Sequence, residues 1–444
     1  MAFHTGVSLH VCGCRSPGAT LDLGENLRAV QRKPKTKGLL GLHKPVQTRS
    51  TQQNQLLNSV VVDDEFLSIQ WKDGNIDEFP HIYLRENCSK YQNPITKGRI
   101  ISPLDLDMNV VPKHVYIDSN VLNVIWNDDH TSLFTTEELQ LLRHKPQTQE
   151  TEILANHVKF WGDLTSFKNK AMPVFDYQRL MENDYTLYQW LVELAFKTGI
   201  AKIENIPVEK LQLQKLGNRV GYLVSTNYGI IHDVKTHSRD NATDIGYTSA
   251  ELQLHTDYTF TYHQPMIGMF HCLQHSSKGG ANRWSDGFYA AYRLFKEDPE
   301  SFYLLAGTPV AFCTKGRSEI CDYNFTSRQR LISLDFFGKL SQVCYRNDYR
   351  DRNMPLEPKH MKAFYKAYGR FTELLNDDES SFWFKIMSGE AMTFNNFRVL
   401  HARSAFEIEK DSKSRWLQVS YMNLDCVHSK IRLLAEKHGV SSPV

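Results

Sequence analysis

The sequence predicts a mainly β protein with flanking helices: a small β-rich N-terminal domain, then a larger β-sandwich or jelly roll buttressed by helices on one face. Three observations carry this expectation. Two segments near the N-terminus repeat one pattern, a β-like run ending in Trp, a turn, and a second apolar run. Beyond about residue 172, short β-like runs are separated by loops. Helical patterns are few and do not alternate regularly with strands, which argues against a doubly wound parallel sheet.

Residues 1–55 lack sustained periodicity. They carry Arg15, Arg28, Arg32, Lys33, Lys35, Lys37, Lys44 and Arg49 against Asp22 and Glu25, with Ser, Thr, Gly and Gln between. A basic, hydroxyl-rich, acid-poor segment has the composition of a mitochondrial transit peptide; a plain disordered tail is the alternative. The first reading implies the mitochondrial matrix, the second a cytoplasmic protein. The repeated segments follow: "LSIQWKDGNIDEFPHIYLREN" from Leu67 and "LNVIWNDDHTSLFTTEELQLL" from Leu122. Their turns fall at Asp73-Gly74 and Asp128-Asp129, and Asp-Gly between two such runs signals a hairpin. Residues 56–150 therefore read as the small domain, with "HKPQTQETE" as a polar linker, and 151–440 as the large one. In the latter, "DYTLYQWLVELAFKTG" has helical spacing and a Gly stop, "GIAKIENIP" reads as a strand, and helices are expected at "VEKLQLQKLGNRVGYL" and from Pro358 to Asp377.

The totals narrow the function. A formal charge of +2 over 444 residues argues against a nucleic-acid partner. Hydrophobic residues at 41% and charged residues at 23% suit a soluble globular chain. No apolar run approaches the ~20 residues of a transmembrane helix. The eight cysteines include no C-x-x-C pair, so a reducing compartment fits better than a disulfide framework.

The chemistry concentrates in "LQLHTDYTF", Leu252 to Phe260. Read as a strand, it places His255 and Asp257 on one face, since residues i and i+2 point the same way. Alone, such a pair is as readily a histidine hydrogen-bonded to a nearby acid. His401 ends another β-like run, in "GEAMTFNNFRVLHARSAF". Two histidines and a carboxylate make the facial triad of non-haem Fe(II) oxygenases, which leaves positions open on the metal. Fourteen residues on, Arg415 stands in "SRWLQVSYMN". An inward arginine needs an anionic partner, and the distal carboxylate of 2-oxoglutarate supplies one in a bidentate pair. Gly279-Gly280 leaves room for a cosubstrate to approach the backbone.

HTD, the later His and the Arg, together with "DGFYAA" and "NNFRVLHAR", resemble the γ-butyrobetaine and trimethyllysine dioxygenases of carnitine biosynthesis. The resemblance runs from about Phe66 to Leu434 and includes "IYLRENC" and "VIWNDDH". It implies a double-stranded β-helix carrying the iron, with a small N-terminal domain. It implies Fe(II) on His255, Asp257 and His401, and 2-oxoglutarate on Arg415 with Asn282 as a small polar contact. Oxygen is the co-reactant, succinate and carbon dioxide are co-products, ascorbate is the reductant, and a homodimer is usual. Family substrates carry a trimethylammonium group, which aromatic faces suit. Tyr228, Tyr247 and Tyr421 match cage positions.

Several positions depart from the pattern. His232 stands where the family has a cage Trp. Asp244 stands where γ-butyrobetaine dioxygenases have Asn and trimethyllysine dioxygenases have Asp. Arg346 replaces an Asn that meets the substrate carboxylate; it suits that group or a closing pair with Asp244. These residues narrowly favour trimethyllysine over γ-butyrobetaine, with a paralogue acting on another small cationic substrate as the alternative. The family's small domain often binds zinc. Here Cys88 and His130 are kept, but Lys90 and Asn93 replace the other ligands, so no zinc is expected. Two other classes compete. A non-catalytic cupin-like binding protein would not need Arg415, and a hydrolytic zinc enzyme would need a nearby general base.

Overall fold

The computed structural model describes residues 56–96, 98–143, 157–163, 167, 172–235, 249–276, 279–354, 356–406 and 415–443. The basic segment 1–55, the linker at 144–152, and the candidate residues Asp244 and Tyr247 lie outside the described residues. The chain divides into two compact units, 1–147 and 148–444.

The first unit repeats a β-β-β-α pattern. Strands β1 (Leu57–Val62), β2 (Phe66–Trp71) and β3 (Ile76–Pro80) precede helix α1 (His81–Glu86). Strands β4 (Pro112–Asp118), β5 (Val121–Trp126) and β6 (Thr131–Phe134) precede α2 (Thr136–Leu142). Each trio is one antiparallel sheet in chain order. The middle strands explain the resemblance between the two sequences. Leu67, Ile69 and Trp71 on β2, and Leu122, Val124 and Trp126 on β5, alternate inward and are buried. The Trp126 indole N–H donates to Ser132 Oγ at 2.8 Å, so its one polar atom is satisfied inside. The tight turns use left-handed backbone at Gly74 (φ 90°) and Asp129 (φ 61°).

The second unit is built on two sheets. Its elements are β7 (Val174–Asp176), α3 (Tyr177–Glu182), α4 (Asp184–Phe196), β8 (Ile200–Glu204), α5 (Gln212–Val220), β9 (Ile231–Lys235), β10 (Leu252–His255), β11 (Ile267–Gln274) and β12 (Asn282–Asp286). Next come α6 (Gly287–Glu297), α7 (Pro299–Gly307), β13 (Pro309–Arg317), β14 (Asp322–Arg330), β15 (Ile332–Leu334), β16 (Leu340–Val343) and α8 (Pro358–Leu375). The chain ends with β17 (Ser381–Phe384), β18 (Ala391–Asn395), β19 (Val399–Arg403), β20 (Trp416–Met422) and α9 (Leu424–His438). One sheet has four strands in the order β10-β19-β12-β17; the other has six in the order β7-β8-β18-β11-β20-β9. Among the described strands, only β7 and β8 pair in parallel.

Burial pattern decides what each face meets. On α4, Leu187, Trp190, Leu191 and Leu194 recur at helical spacing and are buried. They join α5, α9 and the outward residues Ala201, Ile267 and Met269 of the six-stranded sheet in one core. Asn183 caps α4 by accepting from Thr186 N at 2.8 Å, and Gly199, at φ 76°, turns the chain out. The inward residues Phe270, Phe394, Leu417 and Val419 share a second core with Leu254 and Trp284 of the four-stranded sheet. Helices α6–α8 pack together and against β15, β16 and β19. Helices therefore flank more than the one face expected from the sequence. The reason is the apolar stripe on α6, where Phe288, Ala291 and Leu294 needed a surface of their own. No described helix is long and apolar enough to cross a membrane.

One buried ion pair joins two distant motifs. Arg398, just before β19, donates from Nε and Nη2 to both oxygens of Asp286, at 2.8 and 2.7 Å. Its remaining N–H groups reach the carbonyls of Lys197 and Lys159. Asp286 also caps α6, accepting from Phe288 N and Tyr289 N. "DGFYAA" and "NNFRVLHAR" are thus partly architectural signals, tying β12, α6 and β19 together around the site.

Candidate active site

Strand register assembles the centre. His255, at the end of β10, pairs directly with His401 on β19. His401 in turn faces Trp284 on β12. Opposed residues of neighbouring strands share a face, so both imidazoles enter the same space with ring centroids 4.2 Å apart.

Asp257 arrives differently from the sequence expectation. Strand β10 stops at His255, and residues 257–260 form a turn. Tyr258 adopts a left-handed backbone, φ 60°, which is strained for a bulky residue. Asn396 compensates: its Oδ1 accepts from Asp257 N at 2.7 Å and its Nδ2 donates to Asp257 O at 3.0 Å. The carboxylate is aimed by this turn and clamp, not by strand alternation. Asn396 lies inside the quoted "NNFRVLHAR", but no periodicity gave it this role.

The three side chains form a ligand set. Their donor atoms all lie within 4.8 Å of one another, and all three residues are buried. Asp257 Oδ1 is 3.5 Å from His255 Nε2, and Oδ2 is 3.7 Å from His401 Nε2. An ion held about 2.0–2.2 Å from imidazole and carboxylate donors needs nearly this spacing. The His255 Nδ1–H group donates to Gln253 O at 2.8 Å, which leaves the Nε2 lone pair facing the centre. His401 sits among the rings of Trp284, Phe270 and Phe394. Burial, then the neighbouring His255, holds its pKa far below the ordinary value, so the ring is neutral and able to ligate. Burial by itself raises the Asp257 pKa, but the adjacent His401 and His255 and the Arg346 charge outweigh it, so the carboxyl stays ionised. Tyr421 donates its O–H to Asp257 Oδ2 at 2.8 Å. The residues present therefore fit a ferrous ion on two imidazoles and a carboxylate.

A cavity of about 120 Å³ opens beside this set. Nine residues singled out from the sequence line it: His255, Asp257, His401, Asn282, Arg415, Tyr228, His232, Arg346 and Tyr421. Arg415 stands immediately before β20 and is buried. Among the described residues no carboxylate pairs with it. Burial, then the neighbouring Arg403, pulls its pKa down to about 10, which still leaves it cationic at neutral pH. A buried cation with no anionic side chain beside it, opening onto the metal ligands, fits the free carboxylate of a keto diacid. Asn282 lies in register with Arg403 across β12 and β19, on the same cavity wall. Arg403 was legible two positions after His401 but was not singled out from the sequence.

The other wall is aromatic. The Tyr228 and His232 rings lie 5.4 Å apart, and His232 stacks on Tyr421 at 6.3 Å with a 20° interplanar angle. Tyr258 meets Tyr421 edge-on at 5.2 Å. Of the partners expected for Arg346, Asp244 lies outside the described residues. Arg346 pairs with Asp348, Nε to Oδ1 at 3.0 Å and Nη2 to Oδ2 at 3.1 Å, and stacks 3.8 Å over Tyr349 while lining the cavity. The pair with Asp348 follows from separation by only two residues.

One further expectation needs adjustment. Gly279 and Gly280, at φ 69° and 70°, do not line the cavity among the described residues. A Cβ on Gly279 would come within 2.6 Å of the Ala405 carbonyl, so the glycine serves close chain packing beside β19. In the small unit, Cys88 Sγ lies 3.4 Å from His130 Nε2. Asn93 instead accepts from the amides of Ile95 and Thr96. Arg85 stacks on Tyr91 and pairs with Asp128 at 2.7 Å. One thiol and one imidazole fall short of the four ligands of a structural zinc site.

Comparison with known proteins agrees with this chemistry. Residues 163–421 match the family described as taurine catabolism dioxygenase TauD, TfdA family. Residues 59–140 match the family described as gamma-butyrobetaine hydroxylase-like, N-terminal. Gamma-butyrobetaine dioxygenase of Homo sapiens is 30% identical over 376 residues, which covers 84% of this chain and 95% of that protein. The mitochondrial trimethyllysine dioxygenase of Mus musculus is 27% identical over 378 residues, covering 84% and 86%. Among solved structures, the non-haem iron oxygenase OrfP in complex with Fe and α-ketoglutaric acid aligns with a TM-score of 0.42 at 14% identity. That alignment covers 56% of this chain and 84% of that one.

Proposed function

The chain belongs to the taurine catabolism dioxygenase TauD, TfdA family and is an iron- and 2-oxoglutarate-dependent dioxygenase; from that premise we propose that it hydroxylates an unactivated C–H bond of a small trimethylammonium acid in carnitine biosynthesis, trimethyllysine before γ-butyrobetaine. The observation that carries this reading is the cavity itself, which joins the ligand set to an aromatic wall of Tyr228, His232 and Tyr421. Aromatic faces suit a quaternary cation that cannot donate strong hydrogen bonds.

In this reading the two facing sheets are the halves of a double-stranded β-helix, and the small unit is a separate domain. His255, Asp257 and His401 hold Fe(II), and Arg415 with Asn282 seats the keto diacid. Bound iron and 2-oxoglutarate supply oxygen activation and hydrogen abstraction, which no side chain performs. The protein's own part is to aim one C–H bond and exclude water. Tyr421 serves both ends, orienting Asp257 while presenting its ring to the substrate. Arg346, held by Asp348 and Tyr349, presents a cation suited to a substrate carboxylate. Asp244 supplies an anion for an α-ammonium, which trimethyllysine has and γ-butyrobetaine lacks. The 30% identity to gamma-butyrobetaine dioxygenase supports the second substrate. The basic N-terminal composition and the mitochondrial relatives support a matrix location.

The test incubates the full chain with Fe(II), 2-oxoglutarate, ascorbate and each candidate acid, and reads product by mass spectrometry. Hydroxytrimethyllysine with matching succinate is expected, and Asp244→Asn moves the product ratio towards γ-butyrobetaine. Absence of hydroxylated product from both acids rejects the substrate. An unchanged ratio rejects the role of Asp244.

A further inference from the structure

Strand β14 pairs with β13 in a two-stranded ribbon outside both main sheets. Its sequence, Asp322 to Arg330, alternates strictly: Tyr323, Phe325, Ser327 and Gln329 are turned in, and the residues between them are exposed. Every one of those four side chains grips chain that builds the cavity. Tyr323 Oη lies 3.0 Å from Tyr228 Oη. Phe325 stacks on Phe260 at 5.7 Å. Ser327 Oγ donates to Thr259 O at 2.6 Å, and Gln329 Nε2 donates to Thr261 O at 3.0 Å. One face of one strand therefore holds two segments, the turn carrying Tyr228 and the turn that follows Asp257.

The tip of the ribbon holds the first of these as well. Ser318 donates from Oγ to Asn227 O. Residues 226–229 close a tight turn through Thr226 N to Gly229 O, 3.1 Å, and Gly229 N to Thr226 O, 3.0 Å. Room for the Tyr323 ring comes from its cross-strand partner Gly316, where a Cβ would lie 2.7 Å from Tyr323 Oη.

We propose that the β13–β14 ribbon positions the substrate wall, and that Tyr323, acting through its hydrogen bond to Tyr228, sets the affinity for the cationic head of the substrate. Tyr323 is a positioning residue. The wall it steadies is useful to a quaternary ammonium only if the ring face is presented at a fixed angle, since the attraction depends on the face and not the edge. This inference rests on the trimethylammonium reading for its ligand, but the positioning itself does not.

Two measurements on the full-length, iron-loaded enzyme separate them. The first is hydrogen exchange of Tyr323→Phe without substrate. Amides of residues 226–229 are expected to exchange faster, with those of β18 unchanged; unchanged exchange at 226–229 overturns the proposal. The second is steady-state kinetics of Tyr323→Phe, Tyr228→Phe and the double variant. Loss of one hydrogen bond is expected to raise KM for the trimethylammonium acid about three- to ten-fold, with kcat and KM for 2-oxoglutarate unchanged. The double variant should equal either single one. Effects that multiply, or a KM that does not move, overturn the proposal. If the wild-type enzyme turns over neither acid, the substrate reading falls, and the exchange result still decides the positioning.

Discussion

Arg415→Met should move stability and cosubstrate affinity in opposite directions. The guanidinium is buried, and among the described residues it has no carboxylate partner. Burial, then the neighbouring Arg403, pulls its pKa down to about 10, the direction expected of a charge held out of water. Methionine fills a similar volume without a charge. Replacing buried ion pairs by packed apolar side chains is often neutral or stabilising by about 1–4 kcal/mol, and a cation without a carboxylate partner has less attraction to lose. At about 2–4 °C per kcal/mol for a unit of this size, the cosubstrate-free variant should melt several degrees higher. With 2-oxoglutarate the sign reverses. Truncating one partner of a buried, hydrogen-bonded charge pair costs about 2–5 kcal/mol, so KM for 2-oxoglutarate should rise at least about 30-fold. Scanning fluorimetry with and without the keto acid, beside steady-state kinetics, reads both effects. A variant that melts lower without cosubstrate, or whose KM stays within three-fold, would refute the assignment of Arg415 as a cation kept for an external diacid.

Two predictions concern residues away from the chemistry. Asp286→Ala leaves the Arg398 guanidinium buried and removes the cap of α6, so it should cost about 3–5 kcal/mol of unfolding free energy; urea titration showing less than about 1 kcal/mol would contradict the role given to the pair. His271 on β11 is buried with neither ring nitrogen hydrogen-bonded, and burial lowers its pKa from 6.5 to about 4. As pH falls below 6.5 the unfolded chain takes up this proton first, so stability drains between 6.5 and about 4, by about 3 kcal/mol in all. His271→Leu should abolish that part of the acid sensitivity. Between pH 7 and 5 it should lose about 2 kcal/mol less than the wild type, and equal losses would show that the imidazole is not held neutral by its surroundings.

Legibility followed periodicity. Strands β2 and β5 could be seen because alternation and a terminal Trp recur, and α4 because its apolar residues keep helical spacing over three turns. His401 and Arg415 could be tied to His255 because chemistry, not proximity in the chain, asks for two imidazoles, a carboxylate and a cation. Asp257 was found for the wrong reason. A strand would have put it beside His255, but the chain turns, and a strained Tyr258 with an Asn396 clamp does the aiming. Such long-range hydrogen bonds leave no periodic trace, so Asn396 was invisible. The Arg398–Asp286 pair was invisible for the same reason, although both residues sat inside quoted motifs. Tyr323 is the opposite case: the alternation in "DYNFTSRQR" was present, but alternation alone does not say which wall a strand holds.

The arrangement separates what must stay fixed from what can vary. His255, His401, Trp284, Asn282 and Arg403 are set by register within one sheet, where a one-residue slip would turn every side chain to the other face. The two imidazoles are therefore as rigid as the sheet, while Asp257 depends on its turn and on the Asn396 clamp. The substrate wall is held in part otherwise: Tyr228 stands in the turn at 226–229, which a ribbon outside both sheets grips through side chains, while His232 and Tyr421 stay on strands β9 and β20. A change in that turn alters the wall without disturbing the ladder. Of the two cavity positions that depart from the family pattern, Arg346 lies outside the strands, whereas His232 sits on β9 in register with Val419 of β20. A sequence that keeps the two imidazoles and the carboxylate while changing those two positions keeps the ligand set and alters the lining beside it.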